Sequence, residues 1–189
     1  GCTGVKISEY HILTAAHCTI DNTVLKGSYV ALTDYTNLVD SDSFVTSPAF
    51  SQLEVSEVHY PFEYNPENNS KKLDYNDLLM NKNDLVIIEF KKKNHFSIAK
   101  VNYDNVNVGD KVTITGGGLE KFNDQSEKSR IKYGQQQTIG KISGLCSVFV
   151  EGGSTKERAL ALRDRYFFTD INYQITPEVR THKGDSGGP

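Results

Sequence analysis

Asn83-Asp84-Leu85-Val86-Ile87-Ile88-Glu89-Phe90 is a β-branched apolar run of strand length headed by an Asn-Asp pair, and it reads as a buried strand. Outward from it, Val5 to Ile7, His11 to Thr14, Tyr29 to Leu32 and Glu54 to Val58 are further strand candidates. Short apolar runs alternating with turn-rich segments suit a small antiparallel barrel better than a helical domain. Between Tyr60 and Asn81 the sequence turns to Pro, Asn, Glu and Lys, with Pro61 and Pro66, which predicts a long exposed loop. The lysine- and asparagine-rich stretch from Lys91 to Asp110 is the expected break between two halves, 1–95 and 96–189. After it, Lys111-Val112-Thr113-Ile114-Thr115-Gly116 alternates cleanly, and Gln136 to Ile142 and Leu145 to Val150 read as strands. One helix is predicted over 154–167: Ser154-Thr155-Lys156-Glu157 is a capping-box pattern, and Ala159, Leu160, Leu162, Tyr166 and Phe167 recur at helical spacing.

With 37% hydrophobic and 24% charged residues, the 189-residue chain falls in the range of soluble globular proteins. Its longest apolar run is a few residues, far below the roughly 20 that a membrane-spanning helix needs. A net charge of −3 gives no argument for nucleic-acid binding. The densest basic run, Lys91-Lys92-Lys93, follows a strand end and reads as a solvated loop. The chain opens on Gly1-Cys2-Thr3, with no charged-then-apolar leader in view.

Chemistry enters through Gly184-Asp185-Ser186-Gly187-Gly188-Pro189. A serine hydroxyl is a poor nucleophile at neutral pH, so a serine in a tight glycine-rich turn becomes reactive only beside a base. Leu13-Thr14-Ala15-Ala16-His17-Cys18 offers that base, and Asp84 offers an acid, in the chain order His, Asp, Ser. Singly, each has a plainer reading: a surface turn, a core histidine beside a small apolar run, a polar residue opening a strand. Asn76-Asp77-Leu78-Leu79 is a near copy of the Asn-Asp-Leu at 83–85, but Met80, Asn81 and Lys82 break its pattern, so Asp84 is preferred and Asp77 is the runner-up.

Together these segments resemble the trypsin-like (chymotrypsin-fold) serine peptidases, a family whose triad has this chain order. The resemblance implies an all-β fold of two antiparallel Greek-key β-barrels, 1–95 carrying His17 and Asp84 and 96–189 carrying Ser186. It implies His17 as general base, Asp84 as orienting acid and Ser186 as nucleophile, with the N–H groups of Gly184 and Ser186 forming the oxyanion hole. A glycine at 184 permits the backbone conformation that this hole requires. The resemblance also implies a disulfide between Cys2 and Cys18, closing the loop that ends beside the histidine, and hence an oxidising compartment: secreted or extracellular, with the periplasm as the bacterial equivalent. Cys146 is left either to pair with a cysteine after Pro189 or to serve as a small buried apolar residue. Expected partners are a protein or peptide substrate and protein inhibitors, with no cofactor, nucleic acid or membrane, acting as a monomer.

The family's pattern is not matched throughout. It implies that the chain is an excerpt, lacking the activation segment that pairs with Asp185 and the part after the nucleophile, so that the second barrel is incomplete. Relatives place a tryptophan between glycines where this chain has Gly116-Gly117-Gly118 and no tryptophan at all. The residue six before the serine lines the primary specificity pocket in the family; here it is Arg180, with Glu178 a short shift away, which points away from simple Lys/Arg cleavage. His182 stands where relatives often carry cysteine. Asp34, Asp40 and Asp42 lie in a region that binds calcium in some relatives, although a spaced acidic loop is ordinarily just solvated. An alternative function is a catalytically silent homologue that binds a protein partner.

Overall fold

The computed structural model describes residues 1–32, 51–64, 83–94, 96–107, 109–116, 132–140, 168–170 and 184–188, following 112–115, 132–140 and 168–170 as backbone only. The Asn83–Phe90 stretch forms β5 (Val86–Phe90), and its neighbours in the first half are β1 (Val5–Lys6), β2 (His11–Thr14), α1 (Ala16–Asp21), β3 (Tyr29–Leu32) and β4 (Ser51–His59). They make a five-stranded antiparallel sheet in the order β1-β2-β5-β4-β3. In the second half β6 (Lys111–Gly116), β7 (Lys132–Gly140) and β8 (Phe168–Asp170) form a three-stranded antiparallel sheet. The protein is all-β, with the chymotrypsin-like fold.

Alternation sets the core. Ile12 pairs with Ile88 across β2 and β5, and with Leu53, Val55 and Phe90 they form the buried cluster of the first sheet. Val55 and Phe90 are 0% and 1% exposed. In β4 the apolar positions Leu53, Val55 and Val58 step by two and then by three, and the pairing slips there, between Val55 and Glu57. That bulge keeps Val58 opposite Ile88 and turns Glu57 and His59 to the other face; one extra residue in a strand has this effect. Lys6 is buried beside this sheet and donates from Nζ to the carbonyls of Asn94, at 2.8 Å, and Phe96, at 2.7 Å, tying β1 to the chain beyond β5.

Most strand expectations hold closely: His11–Thr14, Tyr29–Leu32 and Lys111–Gly116 coincide with β2, β3 and β6, and Gln136 to Ile142 overlaps β7. Two features differ. The helix α1 was not expected, because the alanine-rich stretch after β2 carries no capping pattern; its N-cap Ala15 makes no side-chain bond. Tyr60 and Phe62, assigned to an exposed loop, pack partly buried against Ala16 and Val86. The predicted helix at 154–167, the strand at Leu145 to Val150 and most of the long loop lie outside the described residues.

Candidate active site

Asp84 precedes β5, and β5 pairs with β2 through Thr14↔Val86, so the acid is delivered to the place where the chain leaves β2 for α1. Its carboxylate then does two things. Oδ2 lies 2.8 Å from His17 Nδ1, and Oδ1 accepts the backbone N–H of His17 at 2.9 Å. A helix's first N–H groups have no partner within the helix, and α1 has no capping side chain of its own, so Asp84 caps it from a neighbouring strand. One residue thus fixes both the helix start and the ring it carries. Behind them, Ala16 at 0% and Val86 at 1% exposure form a small core, and the Tyr60 hydroxyl meets Thr19 Oγ1 at 2.7 Å.

The electrostatics follow from this geometry. Hydrogen bonding to Asp84 raises the His17 pKa above 6.5, against the lowering effect of burial, and the carboxylate's charge adds to the rise. Burial pushes Asp84 up, but the hydrogen bonds from the His17 ring and backbone, the His17 charge and the Ala16 N–H outweigh it and hold the carboxyl below its ordinary value. The stabilisation from the raised His17 is fully present below about pH 6.5 and is lost as pH rises through its folded-state pKa. That from the lowered Asp84 is present above about pH 3.9 and is lost as pH falls through its own folded-state pKa. The pair is therefore most stabilising in the acidic window between them, whereas a general base must work above that window, with the imidazole neutral.

Ser186 arrives by another route. Its carbonyl accepts the Thr3 N–H at 2.9 Å, and Thr3 Oγ1 donates to the Gly184 carbonyl at 2.8 Å. Thr3 is held in turn by Thr14 Oγ1, which donates to its carbonyl at 2.7 Å. The turn closes with Gly188 N–H donating to Asp185 O at 3.0 Å. Gly187 has φ +80°, and a Cβ there would stand 2.1 Å from Thr14 Oγ1 and 2.6 Å from both Ala15 N and Thr3 O. On its other side, buried Asp185 lies so close to Gly116 of β6 that a Cβ on Gly116 would meet its carboxylate. The turn is thus held between the first sheet and the second. Gly184 has φ +103°, a conformation that favours glycine, as the sequence anticipated.

Cys2 and Cys18 form a disulfide with a Cα–Cα distance of 6.2 Å. Cys18 Sγ lies 3.7 Å from His17 Nε2 and 3.9 Å from the Ser186 carbonyl oxygen, so the bridge stands beside both the imidazole and the serine turn. Of the two aspartates weighed for the acid, Asp84 is the one placed on His17; Asp77 lies outside the described residues, as do Arg180, Glu178, His182, Cys146 and Asp34, Asp40 and Asp42. Thr3 and Thr14 were missed. A lone threonine carries no pattern, and their importance comes from main-chain atoms that sequence does not reveal.

A strand-built sheet carrying an imidazole–carboxylate pair beside a glycine-rich serine turn places the chain in the class of chymotrypsin-fold domains. The family model described as Trypsin matches residues 1–189, and the chain belongs to that family. Among solved structures, it is similar to mouse neuropsin, described as a serine protease expressed in the limbic system of mouse brain, at 20% identity and a TM-score of 0.58, covering 100% of this chain and 70% of that one. It is also similar to human heparin binding protein, at 16% identity and a TM-score of 0.58, covering 100% of this chain and 68% of that one. At these identities the likeness establishes the fold. No curated protein sequence matches the chain.

Proposed function

We propose that the protein is a serine endopeptidase that cleaves protein or peptide substrates through an acyl-enzyme. The observation that carries this reading is the 2.8 Å contact between His17 Nδ1 and Asp84 Oδ2, with the Ser186 turn docked on Thr3 beside the Cys2–Cys18 bridge. Asp84 keeps the Nδ1 proton in place, leaving Nε2 to act as base. Ser186 Oγ attacks the scissile carbonyl carbon as its proton passes to His17 Nε2, and the carbonyl oxygen takes the negative charge toward the N–H groups of Gly184 and Ser186. Collapse breaks the C–N bond, and the leaving amine takes the proton from His17. Water, deprotonated by the same nitrogen, then hydrolyses the ester and returns the proton to Ser186. Removing an oxyanion donor typically costs about 10²–10³ in turnover.

On this reading His17 and Asp84 belong to a first barrel, 1–95, and Ser186 to a second, 96–189, with Asp185 as the partner of the activation segment. The protein works as a secreted monomer on protein substrates, and Arg180, at the sequence position that lines the specificity pocket in the family, disfavours simple Lys/Arg cleavage. The test is labelling of the folded, proteolytically activated natural protein with a fluorophosphonate probe, beside Ser186→Ala and His17→Ala. Labelling that disappears in both variants is the expected result. No labelling of the parent protein overturns the proposal and leaves a chymotrypsin-fold binding module.

A further inference from the structure

On the outer face of the first sheet, away from the core, three metal-ligating side chains converge from three strands: His11 of β2, His59 of β4 and Glu89 of β5. Register explains the convergence. His11 and Glu89 are direct cross-strand partners, Glu57 sits opposite Glu89, and His59 follows one step along the same face because of the β4 bulge. His59 Nε2 lies 2.8 Å from Glu89 Oε2 and His11 Nε2 lies 3.8 Å from the same oxygen. One ligand atom from each residue falls within 4.8 Å of the others.

We propose that His11, His59 and Glu89 bind a divalent transition cation of the zinc class. Zinc holds histidine nitrogen and carboxylate oxygen at about 2.0–2.2 Å in a tetrahedron, which separates neighbouring ligand atoms by about 3.3 Å. The separations of His59 Nε2 and His11 Nε2 from Glu89 Oε2 bracket that spacing, so side-chain rotations would be enough to close the site. Two imidazoles and one carboxylate are a borderline donor set that suits zinc better than calcium or magnesium, which prefer oxygen. The side chains are 36%, 48% and 36% exposed for His11, His59 and Glu89, which leaves an approach for the ion and a fourth position for water or an outside donor.

Two further features fit. Ser8 Oγ, which accepts the Tyr10 and His11 N–H groups, lies 2.6 Å from His11 Nδ1 and so holds the ring by that nitrogen, with Nε2 toward Glu89. Partners of this kind orient metal-bound histidines and tune their affinity. Glu57 and Glu89 also face each other across β4 and β5, a like-charge pairing that destabilises a sheet unless cations lie nearby. Lys26 meets Glu57 at 3.4 Å, and a bound dication beside Glu89 would serve the other carboxylate. The remaining group of this kind among the described residues, Cys2, His17 and Cys18, offers no thiolate because its sulfurs form the disulfide.

The site would clamp β2, β4 and β5 at a distance from the chemistry. β2 runs on toward His17 and β5 begins just after Asp84, so the cation would stiffen the sheet that presents both without occupying the active site. The test is calorimetric titration of the natural protein with zinc chloride near neutral pH, together with thermal melts in zinc and in chelator. One zinc per chain and a rise in Tm with zinc are expected, because a ligand that binds only the folded state stabilises it. Both should vanish in His59→Ala and in Glu89→Gln while the melt in chelator stays near that of the parent. Ser8→Ala should weaken binding by about tenfold or more, and His17→Ala should leave the stoichiometry at one. No heat and no Tm rise in the folded parent overturns the proposal. So does binding that survives His59→Ala and is lost in His17→Ala, which would place the zinc at the catalytic imidazole. Because the readouts are binding and stability, failure here is distinguishable from failure of the peptidase assignment.

Discussion

The His17–Asp84 corner and the Ser186 turn are held in place by different kinds of contact. The corner is fixed by side chains on regular elements: the Thr14↔Val86 pairing, a carboxylate that caps α1, and a small core under the ring. The turn is fixed by main-chain groups, with Thr3 N–H on the Ser186 carbonyl, Thr3 Oγ1 on the Gly184 carbonyl, and Gly187 packed where no Cβ fits. The corner should therefore tolerate backbone disturbance and fail through chemistry. The turn should keep its chemistry and fail through position.

The largest effect expected is that of Asp84→Asn. The amide oxygen still accepts the His17 N–H and caps α1, so the fold should be kept, with the fall in Tm greatest in the acidic window where the charged pair contributes. The amide nitrogen, however, repels the Nδ1 proton and selects the wrong tautomer. Turnover should fall by about four orders of magnitude. The acid limb of kcat/KM should also move down, since the raised His17 pKa depends first on Asp84. A pH–rate profile of both proteins measures this, and activity retained within about tenfold would mean that another acid orients His17.

Next in size is the disulfide. Removing the Cys2–Cys18 link, which closes a sequence separation of 16, should cost about 3 kcal/mol by the loop-closure model. Cys18 Sγ stands near both His17 Nε2 and the Ser186 carbonyl. A Cys2→Ser, Cys18→Ser double variant should therefore lose activity at denaturant concentrations that the parent withstands. Equal denaturation midpoints would show that the bridge is not what joins the two regions.

Gly187→Ala probes the turn by itself. The φ of +80° alone costs about 1–2 kcal/mol for a residue with a Cβ, and two of the three atoms the methyl meets are backbone. The turn must move, so the rate should fall while the downfield NMR signal of a His17 Nδ1 proton shared with Asp84 persists. Loss of that signal would mean that the two regions are one mechanical unit.

The same contrast explains what was legible in the sequence. Asp84 heads a strand-length apolar run and His17 follows a recognisable strand, so the pattern placed both at strand ends and favoured Asp84 over Asp77, while their proposed roles came from the family resemblance. The expected strand boundaries at His11–Thr14 and Tyr29–Leu32 came from the same alternation. The helix α1 escaped because its cap comes from a residue 67 positions away. The outer-face histidines escaped because strict alternation puts His59 on the same side as Leu53 and Val55. The step from Val55 to Val58 was the visible sign of the bulge that reverses this. Thr3 had no sign at all, since its role rests on two contacts with a turn over 180 residues further along the chain.

Thr3 therefore gives the smallest and sharpest test. Thr3→Val keeps the side-chain shape, the N–H donated to Ser186 and the carbonyl that accepts from Thr14, and removes the hydroxyl proton given to Gly184. A single lost hydrogen bond at this part-buried site should cost about 1 kcal/mol of stability. If Thr3 positions the turn and the turn carries the proposed oxyanion hole, kcat should fall with KM nearly unchanged, because such amides serve the transition state more than the bound substrate. Thr3→Ser, which restores the hydroxyl, should recover the rate, whereas a residue that merely packs would not distinguish serine from valine in that direction. A rise in KM at constant kcat would instead place Thr3 in substrate binding, and the turn would then owe its geometry to Gly187 and the buried Asp185.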